Sequence, residues 1–478
     1  MNVCLRRVAV GFVFAGVASG WVGGVPCVAA PSANPPPARI RRGDTTFDFP
    51  AVGVLVAGPE FCTAVLIGCE TVLSAAHCVC PDQGTTYQKC IQAGVADLAT
   101  SLVFFQHLGF VGVQSIAVDP EYSSFVAGDL AVIKLRQPVS GITPLPINTA
   151  VRPAMGMNQT IVGFGRDEGM SMLSGLGVKR SATVSLATCP SGIPPERFDC
   201  YAAPSDNQPS ACPGDSGGPL LADLGSGLVV TGVATGARGG DGLSECEGPL
   251  ALINTDTFVH RSFIEDQLAP DASHGPCGDL PPVGGSGVDV QTFLGEVDAR
   301  RVEFRDSVEV PAGTRLLRVT MNSELVSDAG QNNFDLFIKA GSPPSPSDFD
   351  CSDTRGVSYG ACEIAAPQAG KWYVLAERVA GEGTVQLTAT RFESLPSSPT
   401  PTYTSTRGPT STPRPPAEEC VGDCDGDGHI SIAELVRGVA LALGNPAAPC
   451  ADFDPEGDGV GIAALVKAVN GALYGCIA

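Results

Sequence analysis

The sequence predicts an all-β protein that ends in a small α-helical calcium-loop module, and three observations predict it. Short apolar stretches such as Val52–Val56, Thr63–Ile67 and Leu228–Val233 are punctuated by glycine and turn residues, which is how strands are written. Amphipathic helical spacing first appears at about Phe258–Leu268, and beyond it period-two alternation returns. Only the last stretch, 419–478, repeats a loop followed by an apolar helix face.

The chain has 478 residues, more than one ordinary core holds, so several domains are expected. Its net charge of −21 excludes nucleic acid and anionic membrane as partners, since a phosphate-contacting surface needs clustered Lys and Arg. Eighteen cysteines are many for a reducing compartment. Spacings such as Cys62 to Cys78, Cys189 to Cys200 and Cys351 to Cys362 read as closed loops rather than metal knuckles.

Residues 1–30 carry Arg6 and Arg7, an apolar run from Val8 to Val28, and small residues at Val28-Ala29-Ala30. This is the layout of a cleaved signal peptide; the alternative is an uncleaved anchor, because the run is about long enough to span a bilayer. The expectation is a secreted protein that leaves the membrane after signal cleavage, with sixteen cysteines remaining. Residues 31–39, with Pro35-Pro36-Pro37 and Arg39, read as a pro-segment ending in a cleavable arginine, with Arg41 and Arg42 as alternative sites.

Residues 40–277 form an antiparallel β body of roughly 240 residues with one C-terminal helix. Three motifs stand out in it: Ser74-Ala75-Ala76-His77-Cys78, Asp129-Leu130-Ala131-Val132-Ile133-Lys134-Leu135, and Cys212-Pro213-Gly214-Asp215-Ser216-Gly217-Gly218-Pro219. Singly each has a plain structural reading: a histidine beside a disulfide, a strand-start aspartate, a glycine-turn serine. Together, in this order, they resemble the trypsin/chymotrypsin family of serine proteases over about residues 40–270.

That resemblance implies two six-stranded chymotrypsin-like β-barrels and a Ser-His-Asp triad needing no cofactor for catalysis. Ser216 would be the nucleophile, His77 the general base and then acid, and Asp129 the group that orients the imidazole. Backbone N–H groups of Gly214 and Ser216 would hold the oxyanion. The disulfides implied are Cys62–Cys78, Cys189–Cys200 and Cys212–Cys246. Cys80 with Cys90 would close a short local loop, and Cys69 with Cys277 remains by elimination.

The resemblance further implies activation by cleavage before Ile40, whose new N-terminus would pair with Asp215. Here Ile40-Arg41-Arg42-Gly43 stands where the family has Ile-Val-Gly-Gly, and two arginines oppose burial of the segment. The pocket floor, six residues before the serine, is Ser210, and the wall positions fall on Ala237 and Leu250. With no carboxylate to neutralise a buried cation, the expected preference is for small or medium apolar side chains over Arg or Lys. The same residues also suit a serine esterase acting on small substrates, and a catalytically inactive binding or docking protein is the non-enzyme alternative.

Gly278 to Ser286 is Pro/Gly-rich and reads as a connector. Residues 287–393 alternate at Arg315–Met321, Phe334–Ala340, Lys371–Ala376 and Val385–Thr390, which suits a β-sandwich of about 105 residues. The run from Asn333 to Pro344, and Ala369-Gly370-Lys371-Trp372-Tyr373-Val374, resemble the bacterial pre-peptidase C-terminal domain. Trp372 and Tyr373 are assigned to its core rather than to carbohydrate contact.

Residues 394–418 are dominated by Pro, Ser and Thr and cannot bury a core, so they read as a linker. In residues 419–478, Asp423, Asp425, Asp427 and Glu434 occupy positions one, three, five and twelve of a calcium loop, with Gly428 at six. His429 would contribute its carbonyl oxygen. The second loop is degenerate, with Ala464 in place of the bidentate glutamate. Two loop-helix repeats after a linker resemble dockerin/EF-hand-like modules, which implies calcium and a cohesin-like docking partner. Cys420, Cys424, Cys450 and Cys476 suggest internal stapling.

Overall fold

The computed structural model describes residues 40–80, 86–123, 127–167, 175–225, 227–239, 249–271, 277–327 and 330–393, with Cys246, Cys424 and Leu435. The signal peptide, the pro-segment, the 394–418 linker and the calcium loop expected from the sequence, including Asp423, Asp425, Asp427, His429 and Glu434, lie outside these residues. Contacts divide the chain at Ser398, and Pro399–Ala478 form a second unit. Cys424, in that unit, is disulfide-bonded.

After the two-residue edge strand β1 (Asp44–Thr45), six strands close a barrel: β2 (Val52–Ala57), β3 (Glu60–Leu66), β4 (Thr71–Ser74), β5 (Leu102–Phe105), β6 (Gly109–Val118) and β7 (Ala131–Leu135). Their order is β2-β3-β4-β7-β6-β5, and β2 pairs back onto β5 through Val54 and Phe104. Val52, Val65, Leu73, Val103, Ile133 and Leu135 fill it, all fully buried. A second ring is β8 (Asn158–Gly163), β9 (Arg180–Ala187), β10 (Phe198–Ala203), β11 (Pro219–Asp223), β12 (Leu228–Gly239) and β13 (Leu250–Asp256). Its order is β9-β10-β13-β12-β11-β8, closed by the pairing of β8 with β9.

Two α-helices occur among the described residues. Helix α2 (Arg261–Leu268) is the amphipathic one expected, burying Ile264 and Leu268. Helix α1 (Tyr87–Ala93) was not expected: seven residues are too few to show a helical period, and it is held by the Cys80–Cys90 disulfide. Cys69–Cys277 joins the first barrel to the chain beyond α2, across a sequence separation of 208.

The later strands are β14 (Val288–Val297), β15 (Glu303–Val310), β16 (Thr314–Ser323), the small hairpin β17 (Val326–Ser327) and β18 (Gly330–Gln331), β19 (Asn333–Ala340), β20 (Cys351–Asp353), β21 (Tyr359–Ala365), β22 (Gly370–Ala380) and β23 (Gly383–Glu393). They form two antiparallel four-stranded sheets, β14-β23-β16-β21 and β15-β22-β19-β20. Phe334, Leu336 and Ile338 of one sheet meet Leu317, Val319, Met321, Val385 and Leu387 of the other. Trp372 belongs to this core, its Nε1 donating to the Gln368 carbonyl at 2.8 Å. Cys351–Cys362 ties the two sheets together.

The connector between barrels and sandwich is anchored rather than free. Leu280 is buried against Leu316 and Phe392, and the Val283 N–H donates to the Gly141 carbonyl at 2.8 Å.

Candidate active site

The three motifs converge on one cleft between the barrels. A single 3₁₀ turn, Ala76–Cys78, follows β4 and presents His77, while Cys62–Cys78 ties that turn to β3. Asp129 stands two residues before β7 and is 2 % exposed. Its Oδ2 lies 2.8 Å from His77 Nδ1, and its Oδ1 accepts the His77 backbone N–H at 2.9 Å. Two bonds to one carboxylate fix both the ring's rotation and the nitrogen that carries the proton. Nε2 is thereby left on the cleft side as the basic nitrogen.

Burial by itself would lower the His77 pKa. The charge of Asp129, its hydrogen bond and the more distant charge of Glu60 outweigh this and raise it above the ordinary histidine value. The ring is therefore a stronger base than free imidazole, as proton abstraction from a hydroxyl requires.

Ser216 lines the same cleft, of ≈ 480 Å³, with His77, Asp129, Gly214, Ala237 and Leu250. The turn that carries it is set by hydrogen bonds from Asp215 N to Cys212 O at 2.9 Å and from Gly218 N to Asp215 O at 2.8 Å. Gly214 has φ +96°, and a Cβ there would lie 2.6 Å from Leu176 Cδ1 and 2.9 Å from Gly165 Cα. Only glycine combines that conformation with that proximity. Among the described residues the Ser216 hydroxyl makes no hydrogen bond to His77.

Two predicted residues stand elsewhere. Ser210, expected at the pocket floor, is fully buried and does not line the cleft. It forms a bridge with Arg41, donating its N–H to the Arg41 carbonyl at 3.1 Å, while its hydroxyl donates to Ala211 O. The inner wall is instead made by Ala211, Cys212, Ala237, Leu250 and Leu252.

Ile40 is 1 % exposed, packed with Ile161, Tyr201, Leu220 and Leu252. Asp215, also buried, accepts from Gly165 N at 2.7 Å and Cys212 N at 2.8 Å; in the uncleaved chain the Ile40 nitrogen is an uncharged amide and is not among its partners. Burial raises the Asp215 carboxyl to about 6, against the lowering effect of those two N–H groups and of Arg180.

The arginines do not expel this segment. Arg41 is fully buried, and its guanidinium donates to Asp206 Oδ1 at 2.8 Å, Cys246 O at 2.7 Å and Ser205 O at 3.1 Å. Arg42 is exposed. Arg180 is a second buried cation, donating to the carbonyls of Gly165, Gly175 and Val178. The role of Arg41 is not visible in local sequence, because its acceptors lie 164 to 205 positions away. The three implied disulfides, Cys62–Cys78, Cys189–Cys200 and Cys212–Cys246, are present.

Comparison with known proteins agrees with this geometry. The family described as Trypsin matches residues 43–259, and the bacterial pre-peptidase C-terminal domain matches 307–377. Serine proteinase stubble of Drosophila melanogaster is 32 % identical over 177 residues, covering 34 % of this chain and 22 % of that protein. Serine protease 1 of Rattus norvegicus is 28 % identical over 175 residues, 35 % of this chain and 67 % of that one. Vitamin K-dependent protein C of Oryctolagus cuniculus is 27 % identical over 251 residues, 48 % and 52 % of the two chains. The chain thus spans between about a fifth and two thirds of the curated relatives described here. It carries a trypsin-like serine protease domain, stapled by disulfides, followed by a pre-peptidase C-terminal domain.

Proposed function

We propose that the chain is a secreted serine endopeptidase, and the observation that carries this is the pair of hydrogen bonds that Asp129 accepts from His77 at a cleft lined by Ser216. His77 Nε2 takes the Ser216 proton as the hydroxyl attacks a peptide carbonyl. Asp129 stabilises the imidazolium so formed, and the N–H groups of Gly214 and Ser216 receive the oxyanion. The imidazolium then protonates the leaving amine, and water releases the acyl group by the same steps in reverse order.

Further parts of the reading rest on sequence. The chain is exported by residues 1–30 and held as a zymogen until cleavage after Arg39 frees Ile40 to ion-pair with Asp215. The C-terminal module holds one calcium ion through Asp423, Asp425, Asp427, the His429 carbonyl and Glu434, an all-oxygen set suited to that cation. It docks on a cohesin-like partner.

The cleft favours small or medium apolar side chains. Its inner wall is apolar, and the Arg41 guanidinium sits behind it on the carbonyl of Cys246, the disulfide partner of Cys212. A substrate Arg or Lys would meet a like charge there. A peptide panel on the activated protein tests this, and a strong preference for Arg sinks it.

Labelling by an organophosphonate tests the activity itself. Processed wild type reacts at Ser216 and Ser216→Ala does not; absence of labelling after verified cleavage favours an inactive docking protein. Hydrolysis of small esters without cleavage of intact proteins favours the esterase. Chelation of calcium leaves peptidase activity intact and changes only the 419–478 module.

A further inference from the structure

We propose that the β-sandwich positions the active site, with Tyr359 and Asn322 holding Gly177 so that Leu176 stays packed on the oxyanion-hole glycine, Gly214. This rests on the protease reading and goes beyond it, because it assigns a task to the second domain.

The sandwich grips one short segment of the protease, residues 175–179. Tyr359 OH donates to the Gly177 carbonyl at 2.6 Å, and Asn322 Nδ2 donates to the same oxygen at 3.0 Å. Leu325 N donates to Leu176 O at 2.9 Å. The Lys179 N–H donates to Gln386 Oε1 at 2.8 Å. Gly177 has φ +105°, and the carbonyl of Ser323 occupies the space a Cβ would need. Leu176, Gly177 and Lys179 are thus held by β16, β21, β23 and the chain just after β16.

That segment bears on the catalytic turn by two routes. Leu176 Cδ1 fills the space beside Gly214, where a Cβ would lie 2.6 Å from it. Arg180 collects the carbonyls of Gly175, Val178 and Gly165, and the Gly165 N–H in turn donates to Asp215. Gly177 N also donates to Phe164 O at 2.8 Å. A shift of residues 175–177 therefore moves the two residues that precede Ser216.

The contact is built to be rigid. The outward face of the β14-β23-β16-β21 sheet carries Thr320, Asn322, Gln386, Thr388 and Thr390, each 2 % exposed or less. Gln106 Nε2 donates to Asn322 and Gln386, His107 lies 3.0 Å from Thr390 Oγ1, and Gln386 Nε2 donates to Thr46 O. The Tyr359 ring also packs edge-on against Phe104 of the first barrel, centroids 4.7 Å apart. A polar interface buried this deeply lies in a low dielectric where a lost hydrogen bond is costly, so its geometry is specified rather than adaptable.

The test uses the full chain. Tyr359→Phe keeps the ring and removes one donor from Gly177, and the double variant with Asn322→Ala removes both. Val379→Ser, exposed on the other sheet, is the control. We expect Tyr359→Phe to lower kcat about tenfold with KM changed less than about twofold, the scale of one buried hydrogen bond. We expect the double variant to lose more, and both to speed amide exchange across 175–180 and 212–217 more than across the strands of the first barrel. The control alters none of these. Wild-type kcat in Tyr359→Phe and the double variant, or unaltered exchange at 212–217, overturns the proposal. If wild type itself neither cleaves peptides nor reacts with a phosphonate, the protease reading fails, and exchange at 212–217 alone decides the positioning role.

Discussion

Replacing Arg41 by methionine removes a guanidinium and keeps most of the side chain's length. The segment Ile40-Arg41 enters the second barrel region with its cation wholly buried, and its three described acceptors differ in kind. Asp206 is more than half exposed, so its charge returns to water and the ion pair contributes little. The carbonyl of Cys246 has no such recourse, whereas Ser205 is exposed and its carbonyl returns to water. The Cys246 carbonyl accepts from a charged donor, and leaving it unmet costs about 1–3 kcal/mol. Removing the buried cation also removes its desolvation penalty, which offsets part of this. The net expected loss is about 1–2 kcal/mol, a fall in melting temperature of roughly 2–8 °C for a domain of this size. Differential scanning calorimetry of the disulfide-intact chain measures it. Arg42→Ala, at an exposed position, shifts melting by roughly 2 °C or less, on the ±0.5 kcal/mol scale of surface changes. Arg41→Met melting with wild type, or Arg42→Ala proving the more damaging, refutes the reasoning.

Asp129→Asn should lower kcat by about 10⁴-fold, because the amide favours the wrong imidazole tautomer; a pH–rate profile should show the His77 limb displaced downward once the charge and hydrogen bond that raise it are gone. Asp215 is raised by burial to about 6, so its contribution to stability is fully present below its unfolded value near 3.9 and is lost as pH rises through about 6. The intact chain should lose about 3 kcal/mol relative to Asp215→Asn between pH 4 and 7. The difference between the two proteins is the quantity to measure, since Asp199, raised by burial to about 7, titrates with the same sign. Cys69→Ser with Cys277→Ser opens a loop of 208 positions and should cost up to about 5 kcal/mol in the chain-entropy treatment, read as lowered resistance to urea.

The meeting of His77, Asp129 and Ser216 at one cleft was legible because their motifs carry their own local geometry: a turn after a strand, a strand start, a glycine turn beside a cysteine. Counting back from the serine does not reveal that Ser210 is buried in a bridge with Arg41. The burial of Arg41 was opposed by its charge, and its compensation lies in residues distant in sequence. The sandwich strands were recognised from alternation, yet alternation says only that one face is apolar. In β16 and β23 the other face, Thr320, Asn322, Gln386 and Thr390, is buried as deeply as the core. A polar face against water and a polar face against another domain are written alike.

On the proposed zymogen reading, these features together change what cleavage after Arg39 has to accomplish. In the uncleaved chain Ile40 is already buried in the second barrel, and Arg41 is already bonded to Cys246 beside the cleft. Gly165, Arg180 and the sandwich already fix the walls around Asp215. What remains unfavourable is the carboxylate itself, buried with two N–H donors and with its proton affinity raised. A new ammonium at Ile40 would act on that charge rather than order a loose loop, lowering the Asp215 pKa and removing the pH-dependent penalty. Activation would then show as a gain in stability near neutral pH that Asp215→Asn lacks, with little change in amide exchange across 163–167 and 175–180. A large ordering of those segments on cleavage would contradict it.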